Sequence, residues 1–490
     1  MTLPATVAAA ALAVVALAPA ASAAPRLAAP YDFDGDGLQN VVAGLPRRQA
    51  AGAPDAGAVV VLPGTRAGAS ADRRVLSQST PGVPGVAEGD DAFGADLASA
   101  DFDGDGNAEL AVTAPGDGTV TVLRGSAGGL TADGAQRLPF AGPLAAGDLN
   151  GDGYADLAIG EPFADALPDE DFGSGAVRIV FGGPQGLISA GVRKLGRPNP
   201  LDATFGAVLA VGDMDGDGRL DLLEASAGDT GNVDEGGVPG HISICPGGPS
   251  GPLACRSVRA GMHGGPTSLA VGDVTGDGRS DLVAGVPVQR FVDEDERPPA
   301  GEVLVLRGRP GGPDTSPVVI TQRTRGIPGA DQPGDEFGAS VAVGDLDRDG
   351  RADVVVGAPG ENRGEGRLTV VRGAASGHAG RGNVAYGPRA LGLPATARRS
   401  GNLGAVLALL DANGDRRLDL VAGAPAAHGG PRGDGALTVA PGRPGGFAFA
   451  RARTVTLRTL RLRAPSAPRS VALAPPFGAI LGRPGSSSAG

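Results

Sequence analysis

Tryptophan is absent from these 490 residues, aromatic side chains make up 3%, and Lys194 is the single lysine. Each scarcity closes off a class of function. Sugar sites are usually built on aromatic platforms, and no Trp with three Tyr leaves little to build one from. The one lysine is followed by Leu195, so there is no P-loop. Lys and Arg number 42 against 54 Asp and Glu, a formal charge of −12. Nucleic-acid partners need a positive footprint, so none is expected, whereas cations are favoured. The four histidines, His241, His263, His378 and His428, form no H-E-x-x-H and are read as lying in or near turns. No catalytic constellation emerges, and the chain is not expected to be an enzyme.

Long apolar runs are also missing, with one exception. Val7 to Pro19 is apolar and is followed by Ala21-Ser22-Ala23, a small-residue cleavage pattern. Residues 1–23 are therefore expected to be a secretion signal, although no Lys or Arg precedes the run. The run is too short for a convincing membrane span. No cysteine near the cleavage pattern suggests a lipid anchor, and no apolar segment lies near the C-terminus. A secreted, unanchored monomer is expected. The two cysteines, Cys245 and Cys255, flank a Pro/Gly-rich turn. In an oxidising compartment they are expected to bridge adjacent strands, two free buried thiols being the other possibility.

What is present in excess is glycine, 85 residues, at regular offsets. An Asp-rich motif recurs seven times, its starts 47 to 72 residues apart. Its positions one, three, five and nine are Asp32, Asp34, Asp36 and Asn40 in the first copy, then Asp101, Asp103, Asp105 and Glu109. The third and fourth copies carry Asp148, Asn150, Asp152 and Asp156, then Asp213, Asp215, Asp217 and Asp221. The fifth has Asp273, Thr275, Asp277 and Asp281, and the sixth Asp345, Asp347, Asp349 and Asp353. The seventh has Asp411, Asn413, Asp415 and Asp419. A small apolar segment precedes each motif, as in Phe205 to Gly212, and another follows, as in Leu157 to Pro162. A third segment alternates with period two, as in Gly118 to Gly125, and starts at Gly57, Gly118, Gly175, Gly240, Gly301, Gly366 and Gly435. A weaker fourth completes the unit. Short β-branched alternating runs punctuated by glycine are strands. Four strands per repeat, repeated radially, predict an all-β, seven-bladed β-propeller over residues 24–482, with a disordered tail at 483–490.

The first motif begins too soon after residue 23 for blade one to own a strand before it. Phe477-Gly478-Ala479-Ile480-Leu481-Gly482 matches Phe205 to Ala210 and is expected to complete blade one, closing the ring and removing an open edge.

This frame resembles the FG-GAP repeats of the integrin α-subunit N-terminal propeller. The Phe-Gly pair stands at Phe93-Gly94, Phe205-Gly206, Phe337-Gly338 and Phe477-Gly478, and is degraded to Phe140-Ala141, Gly265-Pro266 and Leu403-Gly404. Gly-Ala-Pro is intact at Gly357 to Pro359 and Gly423 to Pro425, and close at Gly44-Leu45-Pro46, Thr113-Ala114-Pro115, Gly160-Glu161-Pro162 and Gly285-Val286-Pro287. Blade four has only Glu224-Ala225-Ser226 there. The resemblance implies Asp loops on one face, between first and second strands, and ligand-binding loops on the other.

Calcium takes six to eight hard oxygens at flexible geometry, which acids at positions one, three, five and nine, a carbonyl at seven and a turn glycine at six supply. Without a cation such acids repel one another. Up to seven Ca2+ ions are expected. Loops two, four and six carry four acids and the glycine and are expected to bind best. Loop one ends in Asn40, and loop seven, with Arg416 for the glycine and with Asn413, is the one expected empty. An EF-hand needs an acid at position twelve and a following helix. Six loops have Ala43, Val112, Ile159, Ala284, Val356 or Ala422 there, and only loop four has an acid, Glu224.

Three neighbouring loops on the opposite face are long: Glu161 to Ser174, Ser226 to Pro239 and Val286 to Ala300. Their acidic runs at Asp169 to Asp171 and Asp293 to Glu296 suit a basic partner, or simply solvent. Arg432-Gly433-Asp434 is a tripeptide that such a composition produces by chance. The expected function is an extracellular binding or adhesion module for a protein or glycan ligand. The alternative is a carbohydrate-binding propeller or glycan-acting hydrolase.

Overall fold

Runs of Val, Ala, Leu and Thr closed by glycine are too short and too β-branched for helices, so they pair. The computed structural model describes residues 27–70, 72–162, 175–196, 204–228, 239–258, 265–287, 300–393, 401–425, 435–456, 459, 480–481 and 483–484. Among the described residues, seven mainly antiparallel sheets of four or five strands follow one another along the chain, beside a two-stranded hairpin of Gly442–Arg443 and Gly446–Phe447. Blade four shows the plan: Val208–Gly212, Asp221–Gly228, Pro239–Cys245 and Arg256–Val258, paired in that order. Blades two, three, five, six and seven begin with Leu97–Ala100, Leu144–Gly147, Ser268–Gly272, Ser340–Gly344 and Val406–Leu410 and follow the same order.

Blade one has Val41–Gly44, Val59–Leu62 and Arg74–Leu76, and its innermost strand comes from the far end of the chain. Ile480 and Leu481 pair antiparallel with Gly44 and Ala43. Phe477 and Gly478 lie outside the described residues, as does the expected secretion signal. Arg483–Pro484, assigned to the tail from sequence, pair in parallel with Ala98 and Ser99, adding a fifth strand to blade two.

The core is divided into layers between consecutive blades. Val59 and Val61 pack on Phe93, Leu110 and Val112 between blades one and two. Val60 and Leu62 pack on Ala408, Leu410 and Val421 between blades one and seven. The period-two alternation of the third strands therefore separates two buried faces, and Thr121, Thr369 and Thr438 are each 1% exposed. The first strands surround an apolar channel of about 720 Å³, counted with its open mouth. Its walls carry an alanine from each of six blades, Ala98, Ala145, Ala210, Ala270, Ala342 and Ala408.

The repeat glycines sit where blades touch. A Cβ on Gly160, Gly285 or Gly357 would lie 1.9, 1.9 or 2.0 Å from the carbonyl oxygen of Gly206, Gly338 or Gly404 in the next blade. The glycine of one motif element thus packs directly on that of the other, and no side chain fits between them.

Candidate metal centres on one face of the ring

In blades two to seven the Asp-rich segment joins the first strand to the second, and in blade one it leads directly into the second strand, Val41–Gly44, so the loops share one face. The loop is folded by its own acids. In loop two the position-one carboxylate accepts N–H bonds from Gly104 (2.7 Å) and Gly106 (3.0 Å), and loop four repeats this from Asp213 to Gly216 and Gly218. The position-five carboxylate of Asp105 accepts the Asn107 N–H at 2.9 Å. At position six the backbone is left-handed, φ +89° at Gly106 and +87° at Gly218. Arg416 adopts φ +61° and its N–H reaches Asp411 at 2.7 Å, so the turn of loop seven survives without the glycine.

Position nine has a second role that the motif alone did not announce. Glu109 accepts the Phe102 N–H at 2.8 Å and the Gly125 N–H at 3.2 Å. Asp221 accepts those of Met214 at 3.0 Å and Gly247 at 2.9 Å. Asp156, Asp281, Asp353 and Asp419 make the same pair of bonds, each to its own loop and to the glycine that ends the third strand. These six acids are no more than 3% exposed. Burial, ahead of neighbouring acids, pushes Glu109 up to about 8, Asp156 and Asp419 to about 7 and Asp221 to about 6. The clue in the sequence was the glycine recurring at Gly125, Gly182, Gly247, Gly308, Gly373 and Gly442. In loop one, Asn40 instead donates its amide to the Leu38 carbonyl at 3.2 Å.

The loops are also wired to one another. The position-one carbonyl of one loop accepts the position-eight N–H of the next: Asp32 from Ala108 (2.9 Å), Asp213 from Ser280 (3.0 Å), Asp273 from Ala352 (2.6 Å). Asp411 of loop seven accepts from Gln39 of loop one at 3.1 Å, which joins the last loop to the first across the seam.

Among the described residues, four loops bring three acids with ligand atoms within 4.8 Å of one another: Asp32, Asp34 and Asp36; Asp101, Asp103 and Glu109; Asp213, Asp215 and Asp221; Asp345, Asp347 and Asp349. Loop one gathers its acids despite Asn40. Asp32 Oδ1 and Asp34 Oδ1 are buried without a hydrogen-bond partner, as is Thr275 Oγ1 in loop five. Burial raises the pKa of Asp32 and Asp34, and Asp36 adds to it. Orphaned buried oxygens converging in this way fit a hard cation. In loop three, Asn150 donates to Asp152 at 3.0 Å, and in loop seven Asn413 donates to Asp419 at 3.3 Å. Arginines reach other acids. Arg124 lies 2.5 Å from Asp103, and Arg372 lies 2.5 Å from Asp353 and 3.3 Å from Asp347. At position seven, Arg219, Arg279 and Arg351 pair with the position-five acids Asp217, Asp277 and Asp349.

Every loop is followed by a strand. Glu224, the acid at position twelve of loop four, lies within Asp221–Gly228, fully buried, and accepts the Gly206 N–H at 2.9 Å. His241, read as turn-proximal, lies inside the strand Pro239–Cys245, is 4% exposed and shares a hydrogen bond with Ser226. Cys245 and Cys255 form a disulfide between the third and fourth strands of blade four. Both acidic runs of the opposite face and the Arg432 tripeptide lie outside the described residues.

The FG-GAP repeat family matches residues 144–180, 265–306 and 337–371, and an FG-GAP-like repeat matches 101–159. The chain is 32% identical over 170 residues to the phosphatidylinositol-glycan-specific phospholipase D of Mus musculus, covering 33% of this chain and 18% of that one. It is 34% identical over 165 residues to integrin alpha-PS2 of Drosophila melanogaster (31% and 11%) and 30% identical over 210 residues to integrin alpha-5 of Xenopus laevis (41% and 19%). The matches thus span less than a fifth of these relatives. The rhamnogalacturonan lyase YesX aligns at a TM-score of 0.34 and 15% identity over 86% of this chain and 66% of that one, too loosely to carry an argument. Blades with Phe-Gly and Gly-Ala-Pro at their contacts, the acidic loops and these matches together make the chain an FG-GAP repeat protein, a seven-bladed β-propeller similar to those of integrin α-subunits.

Proposed function

We propose that the chain is a secreted, calcium-stapled propeller serving as a non-catalytic extracellular binding module. The observation that carries this is the convergence of acids in loops one, two and four, with buried oxygens in loop one that nothing in the protein satisfies. Calcium there would be held by Asp32, Asp34 and Asp36, by Asp101, Asp103 and Glu109, and by Asp213, Asp215 and Asp221. It would supply positive charge that lets these acids stay ionised together. The disulfide supports an oxidising destination. The long loops of the opposite face are the natural place for a protein or glycan ligand.

The test is a thermal melt of the chain with excess calcium and with chelator, beside a calorimetric calcium titration. Each site at a hundred times its Kd adds about 2.7 kcal/mol. A large calcium-dependent rise in Tm with several ions bound is expected. No shift and no binding would refute the metal reading. Glycan-array binding would favour the carbohydrate alternative over protein capture.

A further inference from the structure

Loop six carries four acids, as loops two and four do, yet its centre is filled differently from that of loop four. We infer that Arg372 is a built-in cation that takes the place of calcium in loop six, leaving this blade independent of metal. The inference rests on calcium binding in the other loops.

Arg372 directly follows the third strand of its blade, Arg367–Val371. Its Nη1 lies 2.5 Å from Asp353 Oδ2 and 3.3 Å from Asp347 Oδ2, the position-nine and position-three acids. It is 13% exposed and Asp353 3%, so the pair is shielded from solvent. Its Nη2 donates to the Gly445 carbonyl of blade seven at 2.6 Å. One guanidinium thus joins two acids of the loop to the next blade, a reach no spherical ion has. Arg351 neutralises the position-five acid, Asp349, at 3.2 Å. In loop four the equivalent of Arg372 is Pro246, which carries no charge, and position nine belongs to the acid cluster. In loop six Asp353 is missing from that cluster. Arg124 holds the same place in blade two, but it is 45% exposed and reaches Asp103 and Asp105 while Glu109 stays with the cluster. Arg307 of blade five turns away to the Ser376 carbonyl.

Calcium stoichiometry of the full chain, measured by calorimetry, tests this in three variants. Asp215→Asn in loop four is expected to lose one ion, and Asp347→Asn in loop six none. Arg372→Ala is expected to gain one ion and to become more dependent on calcium for its Tm. Loss of an ion in Asp347→Asn, or an unchanged count in a folded Arg372→Ala, would overturn the inference while calcium binding stands. Zero ions in wild type and in every variant would overturn both. The Asp347→Asn comparison decides the matter even where Arg372→Ala does not fold.

Discussion

Replacing Gly357 by alanine probes the contact that defines the repeat. The new Cβ would stand 2.0 Å from the Gly404 carbonyl oxygen, 2.9 Å from its carbon and 2.5 Å from Ser340 Oγ. All but the last are backbone atoms of the next blade and cannot rotate away, so the blades must part by more than an ångström. Overpacking of this kind costs about 1–3 kcal/mol. The hydrogen bond from Ser340 Oγ to the same carbonyl, 2.6 Å, would be displaced as well. Losing it adds about 1 kcal/mol. The expected loss is therefore about 3 kcal/mol. Gly387 is the control: an added Cβ meets nothing within 4 Å and its φ is not positive. Alanine there should change stability by less than about 0.5 kcal/mol. Urea unfolding with calcium present measures both. If Gly357→Ala matched Gly387→Ala, the close approach of blades would not be what the glycine is for.

Two further outcomes are expected. Asp335, 4% exposed and beside Glu361, has its pKa pushed up to about 6, chiefly by burial and then by Glu361. A carboxyl raised above its unfolded value favours folding when protonated, so its contribution grows as pH falls from 7 towards 4 and is lost as pH rises through about 6. Asp335→Asn should be more stable than wild type by about 1–3 kcal/mol at pH 7.5, with the advantage fading near pH 4. A difference in Tm that is flat with pH would contradict this. Deleting residues 476–490 removes the partner of Ala43 and Gly44 and opens the edge of Val41–Gly44. Lower Tm and concentration-dependent aggregation are expected, and a soluble, equally stable product would count against closure by this strand.

The architecture was legible because one unit recurs with its punctuation. Period-two runs and seven Asp loops located the blades, and the early start of the first loop pointed to Ile480 and Leu481. The loop acids were legible from spacing alone, since positions one, three and five bend back on their own loop within a few residues. Position nine was read only as a ligand, because its other partner is a glycine 16 residues on at Gly125 and 26 at Gly247, with a strand between. Arg372 was overlooked for the same reason: both it and Arg307 reach a carbonyl of the next blade, and nothing local shows that Arg372 also pairs with Asp347 and Asp353.

The hydrogen bonds within these loops bear on what calcium has to do. Positions one, five and nine already accept backbone amides, and the carbonyls of Asp32, Asp101, Asp213, Asp273 and Asp411 each bond a neighbouring loop without an ion. Metal is therefore not needed to satisfy the backbone. What remains is charge: several carboxylates held close together, the innermost of them buried, each raising the cost of ionising the next. A guanidinium or a divalent ion can meet that cost. On the reading proposed above, Arg372 meets it in loop six and calcium in loop four. Dependence on metal should accordingly be graded from blade to blade, with chelation loosening particular loops before it unfolds the ring.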